Sequence, residues 1–199
     1  MKKTSSLLFI GLFLLAACFL AACSPAGPAS PTPTVITASP QPTALPTPSS
    51  PGDPMTWQNL QVSMEQAEIT ESFLTDFGSQ RVPSPGQKFL WVRVRLTNLG
   101  KSEIGLPALE NFSVLYTQSE IKPIYGHRQG YTDYADLGST LFPRQELDAW
   151  LRFDIPVTAE LKDLLFVFLP TSAQVGVLPS SPGYPYAGNK PTYVWKCGR

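Results

Sequence analysis

From Lys88 to Asn98 the chain alternates without a break: Leu90, Val92, Val94 and Leu96 fall on one parity, and Trp91, Arg93, Arg95 and Thr97 on the other. Successive side chains of a β-strand point to opposite faces, so this run predicts a strand with one face on a core and the other toward water. Glu146–Pro156 repeats the pattern. There Leu147, Ala149, Leu151, Phe153 and Ile155 oppose Asp148, Trp150, Arg152 and Asp154, and Pro156 ends the run by removing a ladder donor. Leu164 to Leu169 is apolar at every position and stops at Pro170, which predicts a short central strand covered on both faces. Weaker strand signals cover Gln61–Ile69, Phe112–Thr117, Ile121–Tyr125, Ala173–Leu178 and Pro191–Lys196. Asn98-Leu99-Gly100-Lys101 carries turn chemistry, with Asn98 and Gly100 expected to accept left-handed backbone, and the next strand is expected near Glu103. No long helical stripe is visible. About seven strands over residues 55–199 predict an all-β, two-sheet antiparallel sandwich.

What precedes residue 55 cannot join that core. Met1-Lys2-Lys3 followed by the apolar run Leu7–Leu20 and then Leu20-Ala21-Ala22-Cys23 has the form of a signal peptide (1–22) ending at a lipobox. Small residues suit the cleavage site, and the Cys23 thiol would receive diacylglycerol. The motif resembles the bacterial lipoprotein signal and predicts a membrane contact made through lipid, on the extracytoplasmic face. Leu15-Ala16-Ala17-Cys18 spells the same four letters. Cys23 is favoured because Ser24-Pro25 follows it, whereas cleavage before Cys18 would leave an apolar Phe19-Leu20-Ala21-Ala22 on the mature chain. An uncleaved anchor is the alternative, since a bilayer span needs roughly 17–25 apolar residues.

Ser24 to Pro54 holds ten prolines and ten Ser or Thr residues in 31 positions, with Asp53 the one charge. Such a segment lacks the apolar surface to fold. Residues 23–54 are therefore expected to form a disordered tether of semi-rigid polyproline II character, reaching at most about 95 Å at about 3.1 Å per residue. A docking strip for a polyproline-binding domain and an O-glycosylated stalk fit the same composition.

The segments Gly86–Gly100, Glu110–Val114 and Pro143–Pro156 together resemble an uncharacterised family of immunoglobulin-like domains found on bacterial lipoproteins and secreted antigens. The resemblance covers about residues 57–170 and implies the fold. It brings no catalytic residues to transfer. It departs at Pro143-Arg144, where the family has Pro-Gly.

Lys plus Arg and Asp plus Glu number 15 each; without Lys2 and Lys3 the balance is 13 to 15. No basic stripe is present to displace the counterions of a nucleic acid, and no glycine-rich loop to cradle phosphate. His127 is the sole histidine and sits in Gly126-His127-Arg128-Gln129, so a histidine-dependent nucleophilic site has one weak candidate. The ligand set for zinc or copper is missing, and neither a metal nor another cofactor is expected. Cys197 has no mature partner once Cys23 is acylated, and a buried or idle thiol is the expected state. Asp133, Asp136, Glu146 and Asp148 could coordinate calcium or act as paired carboxylates in a hydrolase, although their spacing matches neither site.

One segment has functional colour. Tyr125 to Tyr134 interleaves aromatic and polar side chains in what reads as a long loop, and Tyr125, His127, Arg128, Tyr131 and Tyr134 form the candidate binding surface for an envelope protein or a glycan. Tyr184 and Tyr186 could extend it. The competing expectation is that these tyrosines cover the ends of the sandwich. The sequence thus predicts a non-catalytic, membrane-anchored display module, with an accessory subunit of an envelope or transport complex as the alternative and a hydrolase behind both.

Overall fold

The computed structural model describes residues 45–170 and 192–198. Cys18, Cys23, the leader, the tether up to residue 44, the strand expected over Ala173–Leu178, and Tyr184 and Tyr186 lie outside them. The strands are β1 (Met55–Trp57), β2 (Leu60–Thr70), β3 (Phe73–Leu74), β4 (Gln80–Arg81), β5 (Gln87–Asn98), β6 (Ile104–Gly105), β7 (Phe112–Tyr116), β8 (Ser119–Ile121), β9 (Thr140–Leu141), β10 (Glu146–Pro156), β11 (Leu164–Phe168) and β12 (Tyr193–Lys196). One sheet runs β1-β2-β5-β10 and the other β12-β11-β7-β8, with every neighbouring pair antiparallel. The fold is an antiparallel β-sandwich. Its core joins Val62, Leu90, Val94, Leu151 and Phe153 of the first sheet to Phe112, Val114, Phe166 and Trp195 of the second.

Both alternating runs form the expected strands, and β10 has the expected ends. They pair along their whole length, from Glu146 opposite Thr97 to Pro156 opposite Gln87. The core-facing parity is buried as the alternation requires. The outer parity departs from expectation at one end of β5. Arg93, Arg95 and Thr97 are half-buried, but Phe89 and Trp91 are buried, because Phe73 lays its ring edge-on against both, with centroids 5.0 Å apart in each case. Water therefore meets only part of that face.

β2 carries the device that organises this second layer. Its register with β5 slips between Met64 and Gln66, leaving Glu65 as an extra residue. A bulge shifts side-chain parity by one, so Val62 and Met64 point to the core before it and Ala67 and Ile69 after it. Glu68, directly opposite Trp91, is thereby turned to the outer face.

β11 is central and covered on both sides, as its unbroken apolarity requires. Phe166 and Phe168 enter the core, while Val167 joins Leu115 and Val194 in an outer cluster topped by Leu45. Residues 45–54, which composition groups with the tether, thus touch the sandwich. Ser49 N–H donates to the Val194 carbonyl at 2.8 Å and Lys196 N–H to the Ser49 carbonyl at 2.9 Å.

One turn differs from expectation. Asn98 and Gly100 are absent from the positive-φ positions, so no left-handed backbone is used there. The buried Asn98 side chain builds the turn instead, donating to the carbonyls of Ser102 at 2.8 Å and Leu141 at 3.0 Å and accepting from Gly100 N–H at 2.8 Å. Gly100 is needed for space, since a Cβ would sit 3.1 Å from Asn59 and Asn98 side-chain atoms. Arg144, at the position where the family resembled has glycine, has φ +62°, a left-handed backbone that favours glycine. The strand expected over Ile121–Tyr125 ends at Ile121, and Ile124 makes one isolated bridge to Arg152.

Candidate functional site

The chain from Lys122 to Ser139 runs along the free side of β10. Ile124 N–H donates to the Arg152 carbonyl at 2.8 Å, and Trp150 N–H donates to the Thr132 carbonyl at 2.8 Å. Between these two ties the loop folds over the outer face of the sheet. Gln129 N–H donates to the Leu74 carbonyl at 2.8 Å, which joins it to the β3–β4 hairpin.

Three of the five predicted contact residues are spent on holding that loop. Tyr134 is 5% exposed, packs edge-on against Phe112 at 5.0 Å and donates its hydroxyl to the Pro107 carbonyl at 2.8 Å. It belongs to the core and leaves the contact surface. Tyr131 stacks on Trp150 with centroids 4.2 Å apart and meets Trp91 edge-on at 5.8 Å. Its hydroxyl donates to Glu68 Oε1 at 2.9 Å. Arg128 pairs with the same Glu68 oxygen and lays its guanidinium 4.0 Å from the Tyr131 ring centroid. The bulge in β2 thus supplies the acid around which Arg128 and Tyr131 assemble.

Asp133 is buried, and its carboxylate accepts from Gly126 N–H and Ala135 N–H, both at 2.8 Å. Burial raises its pKa above the ordinary carboxylate value, against the opposing effect of those two backbone donors. It pins the loop's two ends together. Glu146 and Asp148 lie on the sheet face beside Arg93 and Arg95, with Arg93 Nε 3.2 Å from Asp148 Oδ1 and Arg95 Nε 3.2 Å from Glu146 Oε1. Arg95 Nε also lies 3.4 Å from Asp148 Oδ1, so both carboxylates are taken up by the arginines of this face. Among the described residues no group of three or more His, Cys, Asp or Glu side chains is placed to hold a metal ion. Cys197 is buried with its thiol pushed up to about 12 by desolvation.

Tyr125 and His127 remain at the surface, and there they meet segments that sequence reasoning did not connect to them. The β3–β4 hairpin turns through Asp76, Phe77 and Gly78, the last at φ +74°. His127 Nδ1 lies 3.3 Å from Asp136 Oδ2 and 3.7 Å from Asp76 Oδ2, while its ring meets Tyr125 edge-on at 4.4 Å and Phe77 at 6.5 Å. Between hairpin and loop opens a cleft of about 370 Å³. Phe73 and Phe89 form its inner end, and Phe77, Val82 and Tyr125 its walls. Phe77 is 86% exposed, Val82 70% and Tyr125 49%. Arg152 and Asp154, consecutive outward residues of β10, also line it. The Arg152 guanidinium lies over the Phe89 ring at 5.3 Å and the Phe73 ring at 5.9 Å. Gly126 makes room for it, since a Cβ there would stand 2.8 Å from Arg152 Cδ and 3.2 Å from Trp91 Cη2.

Residues 49–173 match the family model described as a domain of unknown function, DUF4352. The chain belongs to this family. The DUF4352 span contains all three segments that carry the resemblance seen in the sequence, and it begins at Ser49, where the chain first pairs with β12. A search of curated protein sequences finds no match. Among solved structures, the yjhA protein of Bacillus subtilis is 15% identical over 74% of this chain and 97% of its own, with a TM-score of 0.51, a likeness of fold alone. A beta-sandwich protein of Clostridium difficile is 13% identical over 78% of this chain and 99% of its own, with a TM-score of 0.44. A candidate lipoprotein of Bacillus subtilis, ycdA, is 14% identical over 73% of this chain, with a TM-score of 0.44. This chain spans 39% of ycdA's length.

Proposed function

We propose that this DUF4352 chain is an extracytoplasmic lipoprotein, held to a membrane by acylated Cys23, whose immunoglobulin-like sandwich is a non-catalytic binding module. The anchoring half of this reading is supported by the Lys-rich start, the apolar run and Leu20-Ala21-Ala22-Cys23. The binding half rests on one observation, the gathering of exposed apolar side chains around the cleft. Among the described residues, three of the eight exposed large hydrophobics, Phe77, Val82 and Tyr125, line the cleft, and two more, Leu74 and Ile124, lie on the same hairpin and loop outside its lining. Single exposed apolar residues are ordinary, but a cluster rimmed by charge marks a contact surface. The surface is thus centred on Phe77, Tyr125 and His127, with Arg128 and Tyr131 acting as its support.

Two measurements test the halves separately. Cells fed an alkyne-bearing fatty acid should label the chain and lose the label with Cys23→Ser; an unlabelled chain that still sediments with membranes overturns lipid anchoring. In-cell crosslinking of tagged chain should capture a ligand in fixed proportion, and Phe77→Ser with Tyr125→Ser should abolish the capture. Unchanged capture by the double variant refutes the cleft as contact surface.

A further inference from the structure

The cleft carries more information than its apolar rim. Arg152 and Asp154 stand side by side at its inner end, with Arg152 Nε 3.6 Å from Asp154 Oδ1, too far for a hydrogen bond. These two atoms are shielded from solvent and face each other as an ion pair, and among the described residues neither has a hydrogen-bond partner. The side chains are 17% and 25% exposed, so their remaining atoms reach the cleft. Strand geometry fixes the pair, because residues two apart on β10 project from one face. The Phe73 and Phe89 rings fix it further by holding the guanidinium between them and the cleft.

A planar donor fork next to an acceptor has a definite chemical complement. The fork matches a carboxylate through two parallel N–H···O bonds. The acceptor beside it asks for an N–H donor close to that carboxylate. An α-amino acid has that arrangement, with its nitrogen and its carboxylate on one carbon and an apolar side chain diverging from both. A neutral sugar offers no charge to the guanidinium. A cleft of about 370 Å³ is near the lower end of ligand sites, roughly 300–1,000 Å³, and takes one or two residues.

We propose that the cleft binds an apolar α-amino carboxylate, presented either as a free amino acid or as the C-terminal residue of a peptide. The carboxylate takes Arg152, the neighbouring ammonium or amide N–H takes Asp154, and the side chain lies among Phe77, Val82 and Tyr125. His127, set between Asp76 and Asp136, braces the hairpin against the loop so that the walls stay apart. This inference rests on the reading of the cleft as the contact surface, and it names the chemistry of what enters.

The test is calorimetric titration of the purified full chain with L-phenylalanine, L-leucine, the tripeptide Gly-Gly-Phe, and that tripeptide with its C-terminus amidated. The acids should bind, and amidation should weaken binding about tenfold or more. Arg152→Gln should weaken the acids by a similar factor, and Arg152→Lys, which keeps charge but loses the fork, by less; unchanged circular dichroism shows that each variant is folded. Tighter binding of phenylalanine assigns the site to free amino acids, and tighter binding of the tripeptide assigns it to peptide C-termini. An amide that binds as well as the acid, or no binding of any acid at about 10 mM, overturns the proposal. In that case loss of cellular capture by the Phe77 and Tyr125 double variant would still support the contact surface. Acids that bind while capture is unaffected would keep the ligand site and sink the contact surface instead.

Discussion

Replacing Tyr131 separates the two roles a tyrosine in this loop could have. A ligand contact can be truncated with little loss of stability, whereas a brace cannot. Tyr131→Phe removes one hydrogen bond, from the hydroxyl to Glu68 Oε1 at 2.9 Å, while Glu68 keeps Arg128. The net worth of such a bond is about 1 kcal/mol. Tyr131→Ala removes in addition the stack on Trp150, the edge contact with Trp91 and the ring beneath Arg128. Each aromatic pair contributes about 0.5–1.5 kcal/mol beyond area burial, and a guanidinium over a ring about 0.5–1 kcal/mol. The sum is about 2.5–5 kcal/mol for the alanine variant against about 1 kcal/mol for phenylalanine. Urea unfolding followed by tryptophan emission measures both, because Trp91 and Trp150 flank the substituted ring. With a slope of about 1–3 kcal/mol per molar urea, the alanine midpoint should fall by about 1 M or more. A cycle with Glu68→Gln should show that the two side chains are coupled. An alanine variant within about 0.5 kcal/mol of the parent would refute the assignment of Tyr131 to the scaffold.

Arg144→Gly should stabilise the chain by about 1 kcal/mol, since φ +62° strains any residue with a Cβ, and differential scanning calorimetry should show a rise of a few degrees. Asp133→Ala leaves Gly126 N–H and Ala135 N–H without acceptors and should cost about 2 kcal/mol, with amide exchange at those two positions rising first. The Cys197 thiol, with its pKa raised from 9.0 to about 12, should resist alkylation in the native chain and react fully in denaturant. The folded chain keeps that proton while the unfolded chain releases it. Stability should therefore fall as pH rises from 9 toward 12, and Cys197→Ala should flatten the decline.

The sandwich was legible where period two was uninterrupted, which is why β5 and β10 appear with their core-facing parity correctly assigned. The β3–β4 hairpin was not, because two-residue strands offer no period to detect. Its turn, Asp76-Phe77-Gly78-Ser79, carries the signal that the sequence reading passed over, a glycine turn holding an aromatic residue. The bulge also left a trace, since apolar residues step by two through Leu60, Val62 and Met64 and then by three to Ala67. For the site, the aromatic richness of Tyr125–Tyr134 could be read, but not which rings face inward. That depends on Glu68 and Phe73, which reach the loop only through the register of β2 with β5 and the docking of the hairpin. The pair Arg152 and Asp154 was read correctly as outward-facing, and its neighbours across the cleft come from segments some 25 to 75 residues away.

The backbone ties from Ile124 and Thr132 to β10 bear on how many copies can share a surface. β10 is the last strand of its sheet, and an uncovered last strand offers a row of free amides and carbonyls to the corresponding strand of another molecule. Copies held by lipid on one plane would meet at far higher effective concentration than in solution, with their sheets repeatedly brought edge to edge. By closing that row at Arg152 and Trp150, the loop that frames the cleft would let copies so held collide without zipping into a continuous sheet.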